Sequence, residues 1–250
     1  MHVYLYQPAE RRRPALSEEL RSERMEPVEI GESFFRGDLR LLNRAGHDSH
    51  AFLLGAGPGL IGQILKLRQA GCAHPILVLR DQPDAENVAR ALDAGADDDV
   101  AMPARAMELK ARINAVLRRA HGHSADSVTI GEVTAFFDGR DPEVGGRRVR
   151  LSRREHAIFH QLVLNARRVI SKAAIYDAVY GMAEDQPFDK VIDVYICKIR
   201  KKISEASLTG GQYIETVHGR GYKLDALEPG PAQMPPLAGG KLDAPRAALG

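Results

Sequence analysis

The chain has 250 residues, a formal net charge of +2, 44% hydrophobic and 27% charged residues, and no Trp. That length suffices for one large or two ordinary domains, and no stretch approaches the ~18 uninterrupted apolar residues of a membrane helix. Two cysteines, Cys72 and Cys197, exclude a disulfide scaffold or a Cys-rich zinc module. With an N-terminus lacking a basic n-region and a long apolar run, we expect a reduced, cytoplasmic protein.

Residues 1–120 alternate apolar runs at 3–6, 28–30, 51–54, 76–79 and 100–102 with helical patterns at 16–24, 34–44, 60–70, 85–94 and 107–119. Five strands alternating with five helices predict an α/β unit with a five-stranded, doubly wound parallel sheet. Gly57, Gly59 and Gly62 fit the G-x-G-x-x-G pattern after the third run, and Asp81 follows 19 residues after Gly62, as the ribose-binding acid does in dinucleotide-binding folds. That fingerprint belongs in a first βα turn, whereas two βα units precede it here. A nucleotide or metabolite site at this loop stays open as an alternative reading.

Residues 121–127 have no apolar periodicity and read as a linker. Within 128–227, strands at 128–138 and 149–151 flank a turn-rich stretch, and three helical patterns follow. Ser152 and Glu155 form a capping box for the first, and Ser171 caps the short second helix, which stops at Gly181. In the third, at 189–204, Ile192, Ile196, Ile199 and Ile203 define a buried face. Lys190, Val194, Cys197, Lys198 and Lys201 gather on the opposite side. Runs at 213–217 and 222–224 flank the turn His218-Gly219-Arg220-Gly221 as a hairpin.

Two short helices, a basic third helix and a Gly-bounded hairpin are the order of an α+β winged helix-turn-helix, which places one helix in the major groove of duplex DNA and its wing on phosphate or the minor groove. Val194 suits contact with a thymine methyl. Cys197 reads either as a small neutral residue or as a thiol open to oxidation. Tyr195 and Tyr222 read as packing residues. His156 and His160 lack a third ligand and read as surface residues, so no metal and no cofactor are expected. Residues 229–250 hold 5 Pro, 4 Gly and 5 Ala, and 228–250 is expected to be a disordered tail.

The run from Val191 to Ile203, followed by Ile214-Glu215-Thr216-Val217-His218-Gly219-Arg220-Gly221-Tyr222, resembles the recognition helix and wing of OmpR/PhoB-type response regulators. The resemblance covers residues 128–225. It implies a non-enzymatic, sequence-specific transcription regulator of two-component type that binds short half-sites as a homodimer. By matched position it implies phosphate contacts from Lys172 and Thr216, and Lys190, Val194, Cys197, Lys198 and Lys201 facing the groove. Arg200, His218 and Arg220 complete the DNA-binding set. The wing arginine usual before the first Gly is His218 here, and Arg220 stands two positions later. The loop from Met182 to Phe188 is the expected contact for RNA polymerase.

Ala94-Gly95-Ala96-Asp97-Asp98 and Glu108-Leu109-Lys110-Ala111-Arg112-Ile113 extend the resemblance to a receiver domain over residues 1–119. A receiver phosphorylates an Asp with the help of an acidic Mg²⁺ pair and a Lys. At the matched positions stand Leu54 for the nucleophile, Pro8 and Ala9 for the acids, and Met102 for the Lys. Arg80 takes the place of the hydroxyl residue and Asp99 that of the switch aromatic. Leu54 has no nucleophilic oxygen, so the receiver is expected to be degenerate and binding independent of phosphorylation. The expected dimer face comprises Arg90, Asp97, Asp98, Glu108 and Arg112; a docking surface for another protein is the further alternative.

Overall fold

In this computed structural model, which describes residues 1–8, 13–43, 50–82, 84–180 and 190–226, the apolar runs of the first half form one parallel sheet. Its strands are β1 (His2–Tyr6), β2 (Glu26–Glu29), β3 (His50–Gly55), β4 (Ile76–Arg80) and β5 (Asp98–Ala101), in the order β2-β1-β3-β4-β5. The central strands β1, β3 and β4 are buried almost end to end, as strands covered on both faces must be. β2 is an edge, where Pro27 removes no needed ladder donor.

The covering helices are α1 (Arg13–Ser22), α2 (Leu60–Gln69), α3 (Ala85–Asp93) and α4 (Ala106–Ala120). Leu16 and Leu20 of α1 and Leu109 and Ile113 of α4 share one core with Leu5 and Leu53. Ile64, Leu67 and Ala91, from α2 and α3, share the other with Tyr4, Phe52 and Leu54. The helix expected at 34–44 is absent. Gly37, with ψ −178°, leaves helical geometry, and two 3-10 turns result, Phe34–Arg36 and Leu39–Asn43. Phe34 and Phe35 are instead spent on ring contacts with Tyr4 and Tyr6.

The second half is an α+β winged helix. A four-stranded antiparallel sheet of β6 (Ser127–Ile130), β7 (Val133–Phe136), β8 (Glu143–Val144) and β9 (Arg147–Arg148) precedes α5 (Arg153–Leu164). Next come β10 (Val169–Ile170), α6 (Lys172–Tyr180), α7 (Lys190–Ala206), β11 (Ile214–Val217) and β12 (Gly221–Leu224). The last sheet has the order β10-β12-β11. Ser152 and Glu155 do form the capping box of α5, and the Ser171 hydroxyl accepts the Ala174 N–H at 3.0 Å to start α6.

Two strand expectations change. The run at 128–138 folds back on itself at Gly131, whose φ of 58° suits a tight turn. The run at 149–151 is not a strand. The pairing goes to β8 and β9, across Gly145-Gly146 with φ of 55° and 77°, the geometry a two-residue hairpin loop requires. The expected tail at 228–250 lies outside the described residues.

Glu132, in the β6–β7 turn, holds the loop after α7. The Ser207 hydroxyl donates to its carboxylate, joined by the Thr209 hydroxyl at 3.0 Å, the Leu208 N–H at 3.1 Å and the Tyr213 hydroxyl at 3.1 Å. These donors, Ser207 foremost, bring its pKa down to about 2 from 4.5. A carboxylate depressed in the folded state contributes stability that is complete above its unfolded pKa and is lost as pH falls through the folded one. Thermal unfolding should therefore show a stability loss between about pH 4.5 and about pH 2, and Glu132→Gln should flatten the curve in that window.

Candidate nucleic-acid interface

The core face of α7 is fully spent inside: Ile192, Ile196 and Ile199 are 0% exposed and Ile203 is 2% exposed. The helical period then turns Val194, Cys197, Lys198 and Lys201 outward, and all four are exposed. Val194, at 52% exposure, is an apolar side chain in water between cations. Lys198 lies over the Tyr195 ring at 5.4 Å, and Lys201 makes only a loose contact with Glu205 at 3.8 Å. Lys202 points the other way, donating to Glu155 at 2.6 Å and to the Arg150 carbonyl. The side chain of Lys190 lies outside the described residues.

Behind this face a polar network fixes α7 against α6 and the wing. Asp193 accepts from Lys172 at 2.8 Å and from the Tyr222 hydroxyl. The Lys172 bond, then the Tyr222 bond, hold its carboxyl below the usual range, and burial together with Asp193 pushes the Tyr222 phenol up. Arg200 donates to the Ile214 carbonyl at 3.0 Å and to the Thr216 hydroxyl at 2.7 Å. In this geometry Lys172, Arg200 and Thr216 brace the site from within. The braced wing turn presents His218 and Arg220 to solvent. Gly221 is obligatory there: its φ is 140°, and a Cβ would lie 2.0 Å from the Ile170 carbonyl oxygen.

The carboxyl-end crevice of the parallel sheet has a different character. Leu54 is 0% exposed, paired with Tyr6 and Val78. At the next position, Gly55, a Cβ would stand 2.3 Å from Gln7 Oε1 and 2.8 Å from Pro8 Cδ. A Cβ on Gly57 would stand 3.1 Å from Pro8 Cγ. A cavity of about 290 Å³ remains beside them, lined by Glu19, Asp81 and Met102 among others. Glu19 accepts the Ala106 N–H at 3.0 Å, which occupies one oxygen as a helix cap. Gly59 has φ 88°, while Gly62 faces open space, not the close helix–strand packing its fingerprint role requires. Among the described residues no group of three His, Cys, Asp or Glu side chains is placed to hold a metal.

Arg80 and Asp99 meet as a bidentate ion pair, with contacts of 2.8 and 3.1 Å and side-chain exposures of 11% and 2%. Asp97 is engaged within the chain by Arg68 and by the Ile76 N–H, each at 2.7 Å. Asp98 and Glu108 both pair with Arg112, at 2.9 and 2.8 Å, and Arg90 is exposed. Leu92 and Met107, on the flanking α3 and α4, are large apolar side chains left 43% and 63% exposed. His156 and His160, expected at the surface, are half-buried instead, because α5 turns them toward the first unit.

Residues 146–224 match the family model described as the C-terminal domain of transcriptional regulatory proteins. The chain is 40% identical over 159 residues to the cell cycle response regulator CtrA of Brucella ovis, covering 63% of this chain and 67% of that one, and equally to CtrA of Brucella anthropi. Among solved structures it is similar to the response regulator DrrB of Thermotoga maritima, an OmpR/PhoB homologue, at 24% identity and a TM-score of 0.38, covering 90% of this chain and 99% of that one. It is also similar to the DNA-binding domain of CpxR from E. coli, at 22% identity and a TM-score of 0.35, over 41% of this chain and 98% of that domain. The chain belongs to the OmpR/PhoB-type response regulators, which carry a C-terminal DNA-binding domain. Its curated relatives of high similarity are the CtrA cell cycle regulators. No helix among the described residues is long and apolar enough to cross a membrane.

With the outward face of α7 on DNA, holding and reading separate by substitution. Lys198→Ala and Lys201→Ala should then weaken binding to specific and scrambled DNA alike and flatten its salt dependence, since each would remove a counterion-releasing contact. Val194→Ala should leave the salt slope unchanged and lower discrimination at one A·T pair by up to ~1–3 kcal/mol. Binding isotherms at several salt concentrations check this; identical profiles for Val194→Ala and Lys201→Ala would show that α7 is turned differently on the duplex.

Proposed function

We propose that this response regulator is a cytoplasmic, sequence-specific transcription factor that binds DNA as a homodimer without needing aspartyl phosphorylation. The observation that carries the reading is the Arg80–Asp99 pair. The resemblance places these residues at the hydroxyl and aromatic switch positions, which in a working receiver rearrange on phosphorylation. Here they hold each other at 2.8 Å inside the protein. Removing one partner of a buried ion pair costs about 3–5 kcal/mol, so this pair resists the separation a switch needs. Leu54 supplies no phosphoacceptor, and beside it Gln7 and Pro8 leave no room for any side chain at Gly55.

On this reading α7 lies in the major groove with Val194, Cys197, Lys198 and Lys201 toward the bases and phosphates. Arg220 and His218 reach the neighbouring backbone or minor groove. Lys190 belongs to the same face by its spacing. Arg90, Asp98, Glu108 and Arg112, with the exposed Leu92 and Met107, form the self-association surface; Asp97 serves the fold of its own chain. The loop at 182–188, outside the described residues, is the proposed contact for RNA polymerase.

Full-length protein incubated with acetyl phosphate and Mg²⁺ should gain no mass and keep the same DNA affinity. Sedimentation should show a dimer at micromolar concentration without a phosphodonor, weakened by Arg112→Glu. A Mg²⁺-dependent gain of one phosphate on an Asp would overturn the proposed independence, and a monomer at every concentration would overturn the dimer.

A further inference from the structure

Between the two units lies a cavity of about 100 Å³ that the DNA-binding reading does not use. Lys110, Asn114 and Leu117 of α4 form one wall, and His156 and His160 of α5 another. Arg24 closes it from the turn after α1. The glutamate on its lining, Glu26, is already engaged by Arg153 and by His2 at 3.4 Å. A second cavity, of about 270 Å³, shares Arg24, Lys110 and Gly139 with it.

Three features there have no purpose in the fold alone. Asn114 is only 7% exposed and lines the cavity, yet its amide makes no hydrogen bond among the described residues. The amide is therefore open to whatever occupies the cavity. Lys110 and Arg24 form no ion pair among the described residues. Burial holds the Lys110 ammonium below its usual pKa, against the pull of Glu23 and Asp138. Arg24 is held at φ 63°, in the left-handed region that favours glycine. It sits where a helix-ending glycine normally would: Met25 N–H bonds to the Leu20 carbonyl and Arg24 N–H to the Arg21 carbonyl. This exposed cation in a strained position lines both cavities.

Across the cavity, the His156 ring lies against the Arg140 carbonyl at 3.2 Å, so that Nε2 is its donor and Nδ1 is left as an acceptor, able to take the P–O–H of a hydrogen phosphate but not to donate to an oxyanion. A Cβ built on Gly139 would lie 3.9 Å from both the Lys110 Nζ and the His156 Cε1, so ammonium and imidazole flank the same small space.

We propose that this cavity is a binding site for a small phosphate-like oxyanion, held by Lys110, Arg24 and the Asn114 amide, with His156 opposite. Cations that form no ion pair among the described residues and an amide donor facing the cavity are groups that recognise such an anion. The volume is well below the ~300 Å³ of a drug-sized pocket, which excludes a whole nucleotide from the inner chamber. The ligand is free phosphate or the phosphoryl end of a small ester extending into the adjoining cavity. Lys110, Arg24 and Asn114 belong to the first unit and His156 to α5, so a hydrogen phosphate that donates its P–O–H to His156 Nδ1 ties the first unit to the DNA-binding unit.

Calorimetric titration of the full chain with inorganic phosphate, at ionic strength fixed with NaCl, tests the site. One saturable phosphate per chain is expected, weakened about tenfold or more by Lys110→Met or Arg24→Gly, the loss of one charge-assisted contact. Arg24→Gly relieves the backbone strain, so its thermal midpoint without phosphate should not fall while its midpoint shift with phosphate disappears. Lys198→Ala/Lys201→Ala should bind phosphate as the parent does, which separates the cavity from the DNA-binding face. Glycerol phosphate binding as well as phosphate identifies an ester as the ligand class; weaker binding identifies the free anion. Absence of saturable binding, or binding kept by Arg24→Gly and lost with the two recognition-helix lysines, overturns the proposal.

Discussion

Burial of Ile192, Ile196, Ile199 and Ile203 is the constraint on which the functional surface depends. Each buried isoleucine contributes roughly 1.5–3 kcal/mol, whereas the exposed lysines on the other side of α7 gain at most about 1 kcal/mol from an ion pair. The apolar seam therefore decides the helix rotation, and the cations and Val194 are left outward as a consequence. Asp193 and Arg200 refine the result by bonding α7 to α6 and the wing. A reading surface built this way is rigid before it meets DNA, which limits the ordering cost of binding.

On the proposed reading, the first unit keeps the architecture of a switch and replaces its moving parts with fixed ones. Arg80 and Asp99 neutralise each other in the interior, and Gln7 and Pro8 crowd Gly55, next to Leu54. These are linked changes. An isolated Arg80 or Asp99 at its position would be an uncompensated charge in low dielectric, so each residue accounts for the presence of the other. On that reading, association and binding are the roles left to such a unit, at the exposed Leu92 and Met107 and at the cavity beside α4.

The parallel sheet, the order of the winged helix and the face of α7 were legible because each is a local or periodic signal. The 4, 3, 4 spacing of isoleucines and the Ser152–Glu155 box are read within one or two turns. The hairpin at Gly145-Gly146 carried an equally local signal, two adjacent glycines between short runs, although the strands they join have only two residues each. The brace formed by Lys172, Asp193 and Tyr222 was not legible, since residues far apart in the chain meet only after folding. The same holds for Asp97, a candidate for the outer face whose carboxylate goes to Arg68 and the Ile76 N–H. His156 and His160 look solvated on an isolated helix; packing against the first unit half-buries them.

The central claim is that α7 reads the major groove while the first unit needs no phosphoryl group. Methylation protection of guanine N7 on a natural promoter site, with the full chain and no phosphodonor, addresses both parts at once. The account predicts protected guanines in two half-sites about one helical turn apart, in a pattern that acetyl phosphate and Mg²⁺ leave unchanged. Protection that arises only with the phosphodonor, or a footprint confined to the minor groove, would contradict it.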